Sequence, residues 1–109
     1  MFFWCVPVTL WLRDEVGDNQ EGRQVLKNIF HNADFPFDTP KPQRLIEKIL
    51  KIGSNKDDIV LDSFAGSGTT AHAVLNLNKE DGGNRKFILI EMEDYADTVT
   101  AERVKRVIK

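Results

Sequence analysis

The stretch "DSFAGSGTT", residues 62–70, constrains the fold more than any other because it directly follows the apolar run "IVL", residues 59–61. A short continuous run of β-branched and aliphatic residues is typical of a strand buried on both faces of a parallel sheet. Gly66 and Gly68 allow a tight turn, and a helix beginning near Thr69 would aim its first N–H groups at the same point. The strand, turn and helix therefore predict a site where backbone meets an anionic or strongly hydrogen-bonding ligand.

A second strand is predicted by the apolar run "KFILIE" at residues 86–91. The segment "TTAHAVLNLN", residues 69–78, predicts the helix between the two strands, and "KEDGGNR", residues 79–85, predicts the loop after it. A last helix is expected over residues 94–108. Strand, helix and strand in this order predict an α/β fold with a parallel sheet and a right-handed crossover.

The segment "DTPKPQRLIEKILKIG", residues 38–53, predicts a helix ahead of the first strand. We expect Thr39 to cap this helix, and Pro40 and Pro42 to occupy its first and third positions, where a missing N–H costs no intrahelical bond. Gly53 is expected to end it. Its apolar residues recur at helical spacing, so one face of the helix should pack on the core.

The chain opens with "MFFWCVPVTLWL", residues 1–12, which predicts a buried strand. This run is about half as long as a membrane-spanning helix and lacks the basic start of a secretory signal. The glycines and acidic residues of segment 13–22 predict a loop, and residues 23–30 have the apolar spacing of a short helix. We therefore expect a cytoplasmic protein that does not bind a membrane.

Composition excludes several classes of function. A chain of 109 residues forms one domain at most, and its formal net charge of −2 provides no broad basic surface for nucleic acid. Cys5 is the single cysteine, so no intrachain disulfide is possible and a reducing cytosol is expected. His31 and His72 are too few and too far apart to predict a metal site.

Two phosphate-bearing ligands compete for the glycine turn. A nucleoside triphosphate site needs a lysine directly after the second glycine, where this chain has Thr69, so the P-loop interpretation fails. A dinucleotide remains possible because "GSGTTA" satisfies the G-x-G-x-x-A pattern and Glu91 is a candidate ribose acceptor. Against it, such patterns lie near the start of their domain, and only 18 residues follow Glu91.

S-adenosylmethionine is the third candidate, because it joins a zwitterionic amino acid to a ribose and an adenine. Asp62 is a candidate to hold its ammonium group, and Glu91, with two acceptor oxygens, suits a pair of ribose hydroxyls. The plain alternative is a tight connection without a ligand, in which Asp62 only caps the next helix.

Three segments of this sequence closely resemble the C-terminal part of the modification subunit of type III restriction-modification systems. They are "DFPFDTPKPQRLIEKIL", "DDIVLDSFAGSGTTAHAVLNLNKEDGGNRKFILIE" and "YADTVTAERVKRVI". The resemblance extends from about Val8 to the end of the chain. It implies an S-adenosylmethionine-dependent DNA amino-methyltransferase, with adenine N6 ahead of cytosine N4 as the methyl acceptor.

The resemblance also implies a role for ten residues. Three of them resemble the family's tenth motif, beside the methionine end of the cofactor: Phe37, Thr39 and Lys41. Six resemble motif I, the cofactor loop: Asp62, Phe64, Ala65, Gly66, Gly68 and Thr69. Glu91 resembles the acidic residue of motif II, which binds the ribose hydroxyls, whereas Lys41 has the alternative of being a solvated side chain between two prolines.

The sequence departs from the family at its catalytic motif. These enzymes hold the methyl-accepting amino group with [DNS]-P-P-[YFW], and no two prolines are adjacent here. The resemblance thus implies a lead-in segment, residues 1–34, and a cofactor-binding part, residues 35–109, of a Rossmann-like fold that is incomplete in this chain. We expect no activity without a polypeptide carrying the catalytic half, and a restriction subunit as a further partner. A remnant that serves only as an interaction module is the alternative.

Overall fold

A computed structural model describes residues 9–31, 37 and 39–109 of this protein. The helices are α1 (Arg13–Val16), α2 (Asn19–Phe30), α3 (Gln43–Gly53), α4 (Thr69–Asp81) and α5 (Glu102–Ile108). The strands are β1 (Ile59–Asp62) and β2 (Lys86–Leu89). A π-helical segment, Ala96–Ala101, leads directly into α5 and is called the π segment below.

The two strands pair in parallel with Ile59 opposite Lys86 and Asp62 opposite Leu89, and α4 connects them. The predicted α/β unit with a parallel sheet is therefore confirmed. The helix runs three residues beyond the predicted Asn78, to Asp81, and ends where Gly82 adopts a left-handed conformation with φ of 68°. Strand β2 ends at Leu89, two residues short of Glu91.

The core lies between one face of the sheet and helices α3 and α4. Its buried members are Leu50, Ala73, Val74 and Leu77, and Val60, Phe87 and Ile46 pack against them. The opposite face of the sheet is exposed: Ile59 is 64% accessible, Leu61 63% and Ile88 52%. The prediction that both faces are buried is wrong for the described residues, since α3 and α4 pack on the same face.

Helix α3 begins later than predicted. Its N-cap is Pro42, in an extended conformation with φ of −67° and ψ of 137°, so Thr39, Pro40 and Pro42 all precede the helix. A proline biases the residue before it away from the helical region, and two prolines separated by a single residue keep the segment extended. The predicted end of the helix at Gly53 is confirmed.

The lead-in differs from its prediction. The proposed strand falls mostly on residues 1–8, outside the described part of the chain, and residues 9–12 form no strand. The predicted loop contains α1 and the first turn of α2, because the Asp18 carboxylate accepts the Glu21 N–H at 2.9 Å and caps the helix. The division at residue 34 stays a prediction.

Within the described residues, no helix combines the length and apolar character needed to span a membrane.

Candidate functional site

The "TPKP" segment and the glycine turn line one cleft of about 270 Å³. Eight of the ten predicted site residues contribute to its lining: Phe37, Thr39, Lys41, Asp62, Phe64, Ala65, Gly66 and Thr69. Sequence reasoning missed three further lining residues: Ile46, Ser67 and Thr70. Gly68 lies within the turn but does not line the cleft, and Glu91 lines neighbouring clefts instead.

Both glycines of the turn are required by the backbone and by close neighbours. Gly66 has φ of 54°, and a Cβ there would lie 3.2 Å from Cζ of Phe37. Gly68 has φ of 82°, and a Cβ there would lie 3.2 Å from the carbonyl oxygen of Thr100. Side chains at these positions would combine left-handed strain with crowding, so the turn can approach its neighbours only as glycine.

Most N–H groups of the turn already have partners within the protein. The N–H of Ala65 donates to the Ile90 carbonyl at 3.0 Å, that of Gly66 to Oε2 of Glu91 at 2.8 Å, and that of Gly68 to the Ala65 carbonyl at 2.9 Å. The expectation of a turn with its own N–H groups open to a ligand is therefore wrong at these positions. The N-terminal turn of α4 and the side chains remain as the polar groups of the cleft.

Asp62 is held in one orientation at the end of β1. Its Oδ1 accepts the Phe64 N–H at 3.1 Å, and its Oδ2 accepts the Thr70 hydroxyl at 2.5 Å. Each carboxylate oxygen keeps a second lone pair, and the half-buried side chain lines the cleft. Asp62 is therefore placed to accept hydrogen bonds from a cationic group.

Glu91 follows β2 and lies on the other side of the turn. Its carboxylate accepts three backbone N–H groups, from Gly66 at 2.8 Å, Met92 at 2.9 Å and Glu93 at 3.1 Å. The bonds from Glu93 and then Gly66 hold the pKa of Glu91 below its usual value, so it is ionised at neutral pH. A side-chain hydrogen bond from Tyr95 engages the carboxylate as well, so most of its about four lone-pair positions are occupied within the protein.

A second cleft of about 490 Å³ adjoins the first and contains Glu91. Phe64 and Gly66 line both clefts, so the two meet at the glycine turn. Tyr95 lines the second cleft and packs edge-on against Phe37 of the first, with ring centroids 5.2 Å apart. Partial burial, and then the neighbouring Glu91 carboxylate, raise the pKa of Tyr95.

The π segment and α5 support the turn from behind. The Thr100 hydroxyl donates to the Gly66 carbonyl at 2.5 Å, and Arg103 donates to the hydroxyls of Ser67 and Thr69 at 3.2 and 3.1 Å. Sequence reasoning assigned no role to Tyr95, Thr100 or Arg103. The segment "YADTVTAERV" contains all three, but helical spacing does not show which residues of a helix face a turn more than 30 positions away.

Known proteins resemble nearly the whole chain. The sequence profile of a family described as DNA methylase matches residues 6–102. The type III restriction-modification enzyme StyLTI Mod subunit of Salmonella typhimurium is 44% identical over 86% of this chain and 16% of its own length. The corresponding EcoPI Mod subunit of Escherichia phage P1 is 44% identical over 81% of this chain and 13% of its own. The type II methyltransferase M.KpnI of Klebsiella pneumoniae is 54% identical over 76% of this chain and 19% of its own length. The chain thus spans less than a fifth of each of these relatives.

Proposed function

The chain belongs to the DNA methylase family, and on that premise we propose that its two adjoining clefts hold S-adenosylmethionine for methyl transfer to DNA in a restriction-modification system. One observation carries the proposal. The "TPKP" segment and the glycine turn come together in the fold, where the Thr69 hydroxyl donates to the Lys41 carbonyl at 3.3 Å across 28 positions of sequence. Each segment alone fits several ligands, whereas the pair forms one cleft that the Asp62 carboxylate lines.

The two clefts suit the two halves of this cofactor. Pockets for ligands of this size typically enclose about 300–1,000 Å³, and the first cleft alone, at about 270 Å³, is below that range. Asp62 in the first cleft would hold the ammonium of the amino-acid half. Glu91 in the second would hold the ribose, and its existing bonds to three N–H groups and to Tyr95 favour one hydroxyl over a pair. Phe64, 89% exposed where the clefts meet, would cover the bound molecule.

The chemistry proposed for these residues is binding and orientation. When bound, the cofactor supplies a methyl group activated by its sulfonium. These 109 residues include no [DNS]-P-P-[YFW] tetrapeptide, so the groups that hold the target base belong to other polypeptide, which would also extend the sheet toward a Rossmann-like fold. We infer that the 109-residue chain alone transfers no methyl group. We also infer that the complete enzyme favours adenine N6 over cytosine N4 as the methyl acceptor. The Mod subunits among its relatives suggest a restriction subunit as a further partner.

Titration calorimetry of the 109-residue chain tests the cofactor directly. We expect heat of binding with S-adenosylmethionine and with S-adenosylhomocysteine, and none with NAD. The melting temperature should rise at saturating S-adenosylmethionine, because a ligand that binds only the native state stabilises that state. Tight binding of NAD alone would overturn the proposal in favour of a dinucleotide site.

Matched substitutions test the two carboxylates. Asp62→Ala and Glu91→Ala should each weaken binding by about tenfold, since a hydrogen bond to a charged group contributes roughly 1.5–3 kcal/mol. Asp58→Ala and Glu80→Ala are the controls, because the Asp58 carboxylate accepts the Asn55 N–H at the far end of β1 and Glu80 pairs with Lys51. Equal losses in the controls and the site variants would contradict the assignment.

The exposed sheet face favours a second candidate, a non-catalytic module that docks on a partner. Reconstitution separates the two functions: the chain is mixed with the part of the StyLTI Mod subunit that precedes its matched region, and DNA nucleosides are analysed by mass. N6-methyladenine, or N4-methylcytosine, would support the transferase. Cofactor binding without any methylated base would support the module.

A further inference from the structure

Arg103 is a buried cation whose partners among the described residues are all uncharged. Its side chain is 1% exposed. The guanidinium donates to Oγ of Ser67 at 3.2 Å, Oγ1 of Thr69 at 3.1 Å and Nδ1 of His72 at 3.0 Å, and makes a longer bond of 3.4 Å to the Ser67 carbonyl. Within segments 9–31 and 39–109, no carboxylate forms an ion pair with it.

The hydrogen bond to His72 brings no negative charge to the guanidinium. Arg103 has only donors, so Nδ1 of His72 accepts and the imidazole proton lies on Nε2. Burial and then the charge of Arg103 lower the pKa of His72 to about 4, so the ring is neutral at pH 7. Burial also lowers the pKa of Arg103, to about 10, which leaves it protonated at neutral pH.

A buried charge without a counter-ion is costly, and the same protein shows the usual solution elsewhere. Arg85 is also buried, at 7% exposure, but its guanidinium pairs with the Asp81 carboxylate at 3.0 Å. Arg103 has no such carboxylate among the described residues, and its two hydroxyl partners, Ser67 and Thr69, line the first cleft. The uncompensated charge therefore lies directly behind the wall of the site.

We propose that Arg103 is a positioning residue whose counter-ion is the α-carboxylate of the bound methyl donor, reached through Ser67 and Thr69. This inference rests on the proposed function and adds which residues recognise the acidic end of the cofactor. The guanidinium occupies lone pairs of both hydroxyls, so their hydrogens point away from Arg103. Thr69 donates to the Lys41 carbonyl, and the Ser67 hydroxyl is left to donate to Thr69 or into the cleft.

Two other features act in the same direction. Thr69 opens the 13-residue helix α4, whose N-terminus carries a partial positive charge on the same side as the guanidinium. Asp62, also in this cleft, suits the ammonium rather than the carboxylate. The cleft thus offers separate positive and negative ends, which matches an amino-acid zwitterion.

The test compares two ligands that differ only in the amino-acid end. S-adenosylhomocysteine carries the α-carboxylate, whereas 5′-methylthioadenosine retains the adenine, ribose and sulfur without it. Binding of both to the 109-residue chain is measured by calorimetry for the wild type, R103M and R103K. R85M is the matched control, because it removes a buried arginine that already has its own carboxylate.

We expect R103M to lose about tenfold in affinity for S-adenosylhomocysteine and less than about twofold for 5′-methylthioadenosine. R103K, which keeps the charge, should retain most of the preference for the carboxylate-bearing ligand, and R85M all of it. Equal losses of both ligands in R103M, or no loss of either, would overturn the inference while wild-type binding still supports the proposed function. A wild type that binds neither ligand would overturn the proposed function and this inference with it.

A second variant keeps the test decisive if R103M does not fold. S67A removes one hydroxyl between the guanidinium and the cleft and leaves the buried charge in place. S67A should lower affinity for S-adenosylhomocysteine more than for 5′-methylthioadenosine. R103K should keep most of the wild-type preference for S-adenosylhomocysteine. Loss of both ligands to the same extent in S67A would contradict the route through Ser67.

Discussion

The two faces of the sheet are built from similar residues but have opposite surroundings. The inner face, formed by Val60 and Phe87, packs against α3 and α4 around Leu77. The outer face, formed by Ile59, Leu61 and Ile88, is half or more exposed. Apolar composition alone therefore does not decide burial, because a strand residue is buried only where another element lies over it.

The difference separates the face whose burial stabilises this chain from the face that the described residues leave uncovered. Removal of apolar area from water contributes about 25 cal/mol per Å² at the inner face. The described residues bury much less apolar area at the outer face. The outer face instead presents a contiguous apolar surface of the kind that marks an interaction site or an aggregation risk. The reconstitution described above would place polypeptide there.

The largest effect expected is on the inner side. Leu77→Ala should lower the free energy of unfolding by about 2–5 kcal/mol, because the side chain is 1% exposed and the cavity left behind cannot fill completely. Leu61→Ala, the same change at an outer position 63% exposed, should cost less than about 0.5 kcal/mol. Urea denaturation of both variants measures the contrast, and similar losses would show that the outer face is covered in solution.

The next effect concerns the turn that joins the inner-face helix to the site. Gly68→Ala should cost about 2–4 kcal/mol, because left-handed strain adds to crowding against the Thr100 carbonyl. Gly82→Ala, at the other end of α4, has φ of 68° but no atom within 4 Å of the added Cβ, and should cost about 1–2 kcal/mol. Thermal melts compare the two, and an equal cost would mean that the turn relaxes away from Thr100.

A smaller effect is pH-dependent and belongs to His72 of the inner-face helix. Its pKa falls from about 6.5 when unfolded to about 4 in the fold, so the unfolded state binds more protons between these values. Stability should therefore decrease as the pH is lowered from 6.5 to 4, and change no further through this group below that. In His72→Gln the decrease should shrink, as measured by denaturation at pH 7, 5.5 and 4.5. An unchanged profile in that variant would assign the decrease to other groups.

The smallest change in stability is expected for a polar substitution on the outer face. Ile88→Thr should alter the free energy of unfolding by less than about 0.5 kcal/mol, since the side chain is already 52% exposed and threonine suits a strand. The same variant should reduce any self-association seen by sedimentation and weaken binding of the complementing polypeptide. If the variant self-associates and binds the complementing polypeptide as well as the wild type does, this surface is not the docking face.

Local signals predicted much of this fold, whereas most of the candidate site residues were assigned by the family resemblance. The short apolar runs identify β1 and β2, and the glycine turn identifies the start of α4. Eight of the ten predicted residues line one cleft. The errors occur where two local signals compete, as at Pro42, or where a cap was overlooked, as at Asp18.

The order of elements, the glycines and the acids at the strand ends follow from the sequence itself, because backbone conformation and hydrophobic spacing are properties of neighbouring residues. Only the tertiary structure decided that one sheet face is covered, that three backbone N–H groups occupy Glu91, and that Arg103 lies uncompensated behind Ser67 and Thr69. These contacts join residues separated by up to 36 positions. They depend on how whole elements pack, which no local pattern records.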